Sequence, residues 1–166
     1  MTVMTMFIAV IVLSAASCQR QPTLPTARFH HVPSTGWLTA EPLAFTPVYA
    51  DSTATYDLTL AVRHNSSYRY CNLALTVDVV AADSSVTRKA LDIPLADEYG
   101  NWSSGGFGAL YQATVPIASG VMPDKACKVL VWQTMAGSDT LHGVTDVGII
   151  ASPQKAKKLK IFLSIR

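Results

Sequence analysis

Three kinds of side chain in this sequence could do chemistry: thiols, imidazoles and carboxylates. The thiols are Cys18, Cys71 and Cys127. The imidazoles are His30, His31, His64 and His142, and no two share the spacing with a carboxylate that would bring metal ligands together on one element. Asp97 and Glu98 are vicinal. Neighbours in an extended chain point to opposite faces, whereas a glycosidase pair must flank its substrate across a gap of roughly 5–10 Å. The glycine-rich stretch Asp97–Gly108 lacks the Gly-x-x-x-x-Gly-Lys-Ser/Thr spacing that cradles phosphate. No Gly-x-Ser-x-Gly elbow occurs either. The expectation is a protein without catalytic residues, metal or cofactor.

The surrounding sequence predicts strands. Tyr56, Leu58, Leu60 and Val62 alternate with Asp57, Thr59, Ala61 and Arg63, and Cys71, Leu73, Leu75, Val77 and Val79 alternate with Asn72, Ala74, Thr76 and Asp78. A period of two is what a half-buried strand needs. Further β-branched or aromatic runs lie at Ala44–Val48, Val86–Ile93, Ala109–Ile117, Lys128–Thr134 and Val144–Ala151. Turn-formers separate them at Asn65–Ser67, Asp83–Ser85, Met122–Asp124 and Ala136–Asp139. Seven or eight short strands without a helical stripe predict an all-β fold, an antiparallel β-sandwich of Ig-like or jelly-roll-like kind. The glycine-rich stretch reads as a structured loop, where Gly supplies positive φ or close approach.

Length and charge narrow the function. At 166 residues, 49% apolar and 14% charged, the chain is long enough for one core and too apolar for disorder. Its net charge is +2, but Lys155, Lys157, Lys158, Lys160 and Arg166 all follow Ser152. Without those five, 8 basic and 11 acidic residues leave −3, which offers nucleic acid no basic face. The basic end mixes cations with apolar residues and reads as a solvated extension, with contact to an anionic membrane as the alternative.

The first seventeen residues carry no charged side chain, and the compact run Met6–Leu13 is too short to span a bilayer. Followed by Ser14-Ala15-Ala16-Ser17 and Cys18, it resembles the processing signal of bacterial lipoproteins, in which the Cys thiol is lipidated and becomes the new N-terminus. The layout expected is a signal peptide at 1–17, lipidated Cys18 and a polar Thr/Pro/His-rich tether at 18–33, a sandwich at 34–151, and a basic tail at 152–166. Export to an oxidising compartment leaves Cys71 and Cys127 either a disulfide or two small buried hydrophobes. Tyr68 and Tyr70, on the face opposite Leu73 and Leu75, join Trp102 and Phe107 as a candidate surface for protein or carbohydrate, the alternative being a second buried sheet face.

The blocks Trp37, Leu43–Phe45, Tyr56–His64, Tyr68–Leu73, Leu95–Asp97, Gly100–Trp102, Gly105–Gly108 and Leu141–Ile149, in this order behind a lipoprotein signal, are similar to the gliding motility lipoprotein GldH family of the Bacteroidetes. The resemblance implies a non-enzymatic outer-membrane lipoprotein tied to gliding motility and linked protein secretion, with other envelope proteins as partners. Gln19-Arg20-Gln21 after the Cys, without an acidic run, implies that it faces the periplasm. A carbohydrate-binding envelope module is the competing reading. Ser52 in Asp51-Ser52-Thr53 and Thr140 in Asp139-Thr140-Leu141 resemble the O-glycosylation pattern of exported proteins of that phylum.

Cys18→Ala is expected to abolish fatty-acid labelling and release the protein from membranes, since each buried methylene of an acyl chain contributes about 0.8 kcal/mol of anchoring. Metabolic labelling and fractionation check it, and a mutant labelled as strongly as wild type would place the anchor elsewhere.

Overall fold

A computed structural model describes residues 24–103, 105–124 and 126–154. The expected signal peptide, Cys18 and the lysine-rich end from Lys155 lie outside these residues. Eleven strands follow in order: β1 (Thr26–His31), β2 (Trp37–Leu38), β3 (Leu43–Phe45), β4 (Tyr56–Asn65), β5 (Asn72–Ala81), β6 (Val86–Pro94), β7 (Gly106–Phe107), β8 (Leu110–Val121), β9 (Ala126–Gln133), β10 (Thr140–Leu141) and β11 (Val144–Pro153). They form a sheet of order β1-β11-β4-β8-β7, a facing sheet of order β3-β9-β5-β6, and a two-stranded ribbon β10-β2. Every pairing is antiparallel.

With the three two-residue strands set aside, eight remain, four in each sheet. Among those eight, only the step from β5 to β6 is a hairpin within one sheet, and every other step crosses between the sheets. Four strands facing four in this order is the jelly-roll arrangement. It agrees with the sandwich that the period-two runs predict.

The core lies between the sheets. Tyr56, Leu58, Leu60 and Val62 of β4 and Val147, Ile149 and Ala151 of β11 pack with Leu73, Leu75 and Val77 of β5, Val129 and Val131 of β9, Ile93 and Phe45. The stretch from Val48 to Thr55 is tied back through the Tyr56 hydroxyl, which accepts from Asp51 N at 2.8 Å and donates to Asp51 O at 3.1 Å.

Three expectations need correction. The tether does not reach residue 33, because Thr26–His31 pairs residue by residue with Asp146–Ala151 as an edge strand. Its anchor is Phe29, whose ring occupies the space over Gly148, while the Arg63 guanidinium stacks on that ring at 4.0 Å from its centroid. Nor do Cys71 and Cys127 form a bridge. Cys71 is a free, exposed thiol in the bend before β5, not a buried hydrophobe. The β5–β9 register pairs Val80 with Lys128 and Ala81 with Ala126, placing Cys127 at the far end of β5. Nine positions of about 3.3 Å separate the two by roughly 30 Å, against the ~7 Å that a disulfide tolerates.

Gly148 is thus a packing glycine: a Cβ there would lie 2.5 Å from Phe29 Cδ1. Gly148→Val is expected to displace Phe29 and cost about 1–3 kcal/mol. Urea denaturation checks it, with Gly105→Val, where a Cβ meets open space, as the neutral comparison.

Candidate functional site

The inward row of β4 does not stop at Val62. The next residue in the alternation is His64, fully buried at 0% exposure at the end of the strand. Aromatic rings enclose it. Trp102 meets it edge-on with centroids 4.5 Å apart, Tyr111 of β8 stacks at 5.4 Å with 21° between the planes, and Tyr68 lies at 5.6 Å. Tyr111 and Trp102 also pack together at 5.5 Å.

Local sequence explains why these rings converge. After β4, the Asn65 side chain accepts from Ser67 N at 3.0 Å and Ser67 Oγ at 2.6 Å, and Asn65 O accepts from Tyr68 N at 3.2 Å. This turn swings Tyr68 inward, where its hydroxyl donates to Asn72 O at 2.8 Å. The backbone of Tyr68 then lies against Gly143, which has φ +90° and where a Cβ would sit 2.5 Å from Tyr68 N. Trp102 is placed by the glycine-rich loop. Asp97 organises that loop, accepting at Oδ1 from Tyr99 N at 2.9 Å and Asn101 N at 2.8 Å, and at Oδ2 from Asn101 Nδ2 at 2.9 Å. The Asn101 hydrogen bonds hold the Asp97 carboxyl below the usual carboxylate range. Ser103 N donates to Leu95 O at 2.8 Å and closes the loop behind Trp102.

His64 Nδ1 reaches Asn65 O at 3.3 Å, so the tautomer carrying the Nδ1 proton donates there. Nε2 is buried and, among the described residues, has no hydrogen-bond partner. Burial lowers the pKa of the imidazole from its ordinary value, and burial likewise pushes the Tyr68 hydroxyl up. The cluster is therefore a neutral aromatic plug at one end of the sandwich. It has no acid–base pair poised for proton transfer. Among the described residues, no three His, Cys, Asp or Glu side chains gather as metal ligands.

The residues singled out from sequence are distributed as follows. Tyr68 is buried at 3% exposure and offers no face to a ligand. Tyr70 stands outside it at 36% exposure, with its ring 5.7 Å from that of Tyr68. Trp102 is half-buried, and the backbone of Phe107 pairs with Leu110 in β7. The structure adds Tyr99, 83% exposed at the loop tip, and Leu110, both missed in the sequence. In the loop, Gly108 has φ +65°, and a Cβ on Gly106 would overlap Leu110 O, whereas Gly105 has neither constraint. Ser52 lies on an exposed turn, while Thr140 is half-buried in β10 with its methyl against Gly36.

Similarity along the chain decides the family. The GldH lipoprotein family profile matches residues 26–150, from the first strand almost to the last. The chain belongs to the GldH lipoprotein family. A curated relative, the gliding motility lipoprotein GldH homolog of Christiangramia forsetii, is 32% identical over 106 residues, covering 59% of this chain and 65% of that protein. The chain thus spans just under two thirds of that family member. Among solved structures, the VP2 subviral particle of infectious bursal disease virus is similar at TM-score 0.35 and 11% identity, over 80% of this chain and 34% of that one. The Gx strain of the same virus gives TM-score 0.35 and 11% identity, over 79% and 34%.

Protonation of His64 would bury a charge among uncharged rings, so the folded form binds its proton more weakly than the unfolded chain does. Stability is expected to be full above about pH 6.5 and to fall below it, by at most about 1.4 kcal/mol per pH unit for one proton, until the folded-state pKa is passed. Urea melts from pH 7.5 to 5 on wild type and His64→Phe check it. The variant should lose this part of the acid dependence, and equal slopes would refute it.

Proposed function

We propose that this protein is a lipid-anchored component of the outer membrane, facing the periplasm through Cys18, and that it serves as a structural adaptor in gliding motility and its linked secretion. Membership of the GldH lipoprotein family carries the reading, together with the name of the curated relative. The architecture supports it through its ends. Thr26 pairs with Ala151, and Gln154 N donates to Thr55 O at 2.8 Å, so the chain joins and leaves the domain at the Tyr56 end of β4. The loops bearing Tyr70, Tyr99 and Trp102 lie beyond His64 at the other end, about 30 Å away along ten residues of strand. An anchor at Cys18 then holds the domain with its aromatic loops turned away from the membrane. Exposed aromatics at such a tip suit contact with another envelope protein. Burial of Tyr68 counts against carbohydrate binding at this end.

Deletion of the gene is expected to impair gliding and secretion in the native host. Complementation with Tyr70→Ala/Tyr99→Ala should fail to restore them at wild-type protein level and membrane fractionation. Unchanged gliding and secretion after deletion would refute the reading, and full rescue by the double variant would move the contact elsewhere.

A further inference from the structure

The outer face of the β3-β9-β5-β6 sheet carries a cleft, on the opposite side of the sheet from the aromatic cluster; Thr134 in its lining leads into Met135, whose sulfur accepts from the Tyr68 hydroxyl at 3.9 Å. In the ladder Thr76 of β5 sits between Trp132 of β9 and Ala90 of β6, and Asp78 sits between Leu130 and Arg88. Trp132 is half-buried on this solvent side because Val129 and Val131, its neighbours in the alternation, face the core. The cleft measures about 370 Å³ and is lined by Thr39, Thr76, Arg88, Trp132, Gln133 and Thr134. This volume lies within the range of small-ligand sites.

Two features define what would fit. First, the charge is already spent. Arg88 donates through Nε to Asp78 Oδ1 at 2.7 Å and through Nη2 to Asp78 Oδ2 at 2.6 Å, and Asp78 is only 4% exposed. This bidentate pair leaves no net charge to select an anion or a cation. Second, the hydrogen-bonding groups are unspent. Among the described residues, the Thr76 and Thr134 hydroxyls, the Trp132 indole N–H and Arg88 Nη1 have no hydrogen-bond partner, whereas Gln133 is committed to Ser138 O, Met135 N and Thr39 Oγ1. The Arg88 guanidinium borders the indole, 6.0 Å from its centroid.

We propose that this cleft binds a pyranose ring of an envelope glycan, stacked on Trp132 and hydrogen-bonded by Thr76, Thr134 and the free edge of Arg88. A sugar ring offers an apolar C–H face to an indole and a rim of hydroxyls that donate and accept, which is the complement of this uncharged aromatic-and-hydroxyl lining. The site is independent of the adaptor reading, and it lies on the outer face of the sheet, whereas Trp102 packs on the core side against His64.

The test uses the full-length protein in detergent, titrated separately with soluble peptidoglycan glycan fragments and with delipidated polysaccharide from the host lipopolysaccharide. Binding is read by indole fluorescence and by saturation-transfer NMR on the sugar. The expected result is saturable binding to one of the two, which also names the source of the ring. Affinity should weaken at least tenfold in Trp132→Ala and measurably in Thr76→Val and Thr134→Val, and be unchanged in Trp102→Ala. The two threonine variants keep the test decisive if Trp132→Ala fails to fold. No binding of either glycan at millimolar concentration, or equal binding by the Trp132 and threonine variants, overturns the proposal. So does a fluorescence change that follows protein concentration without sugar, since it would assign the face to self-association.

Discussion

Ten residues of β4 must satisfy two hydrogen-bonded neighbours and one core at the same time. The strand pairs with β11 on one side over residues 56–64 and with β8 on the other over residues 56–65. A slip of one residue in either ladder would turn Leu58, Leu60 and Val62 to solvent and bring Asp57, Thr59 and Arg63 inside. Each methyl-rich row would lose the burial that contributes roughly 1.5–3 kcal/mol per side chain. That constraint fixes the register of the larger sheet, and the larger sheet fixes where every loop begins.

The same constraint produces the aromatic end. Because the alternation of β4 runs on to residue 64, an imidazole is placed where a hydrocarbon would ordinarily go. The structure accommodates it by surrounding the ring with Tyr68, Trp102 and Tyr111, drawn from three different segments. Each of those segments carries its own local device: an Asn65 turn, an Asp97 turn, and the start of β8. The unpartnered Nε2 costs free energy. What the arrangement secures is a single fixed point to which two long connections are pinned, so that the exposed Tyr70 and Tyr99 hang from a rigid base.

How much of this was legible depended on whether the determinants were local. β4 and β5 showed themselves because one-sided burial writes a period of two into their residues, and β6, β8, β9 and β11 showed themselves as β-branched or aromatic runs between turn-formers. β1 did not, since Thr26–His31 is an edge with mostly exposed side chains, and it is held by Phe29 filling a gap that exists only because residue 148, far along the chain, is Gly. The phase of Tyr68 and Tyr70 was misleading for a related reason. Extending the β5 alternation backward places both outside, but residues 66–71 are not strand, and the Asn65 turn resets the direction of Tyr68. Cys71 falls in that same reset and ends exposed. Trp132 was visible in principle, opposite in phase to Val129 and Val131, although no residue near it in sequence marks Arg88 and Thr76 as its neighbours.

The pairing of β1 has a mechanical side. The strand joins the sheet at the end where the chain also leaves it, and runs from there toward the far loops, antiparallel to β11. Tension applied between the segment upstream of Thr26 and anything gripping the far loops pulls β1 along its own axis. All six residue pairs are then loaded together in shear, whereas a pull across the strand would open them one after another like a zipper. The Phe29 ring seated over Gly148 under the Arg63 guanidinium works in that geometry as a pawl: sliding by even one residue would have to drag an aromatic ring out of its notch past a strand that has side chains everywhere else.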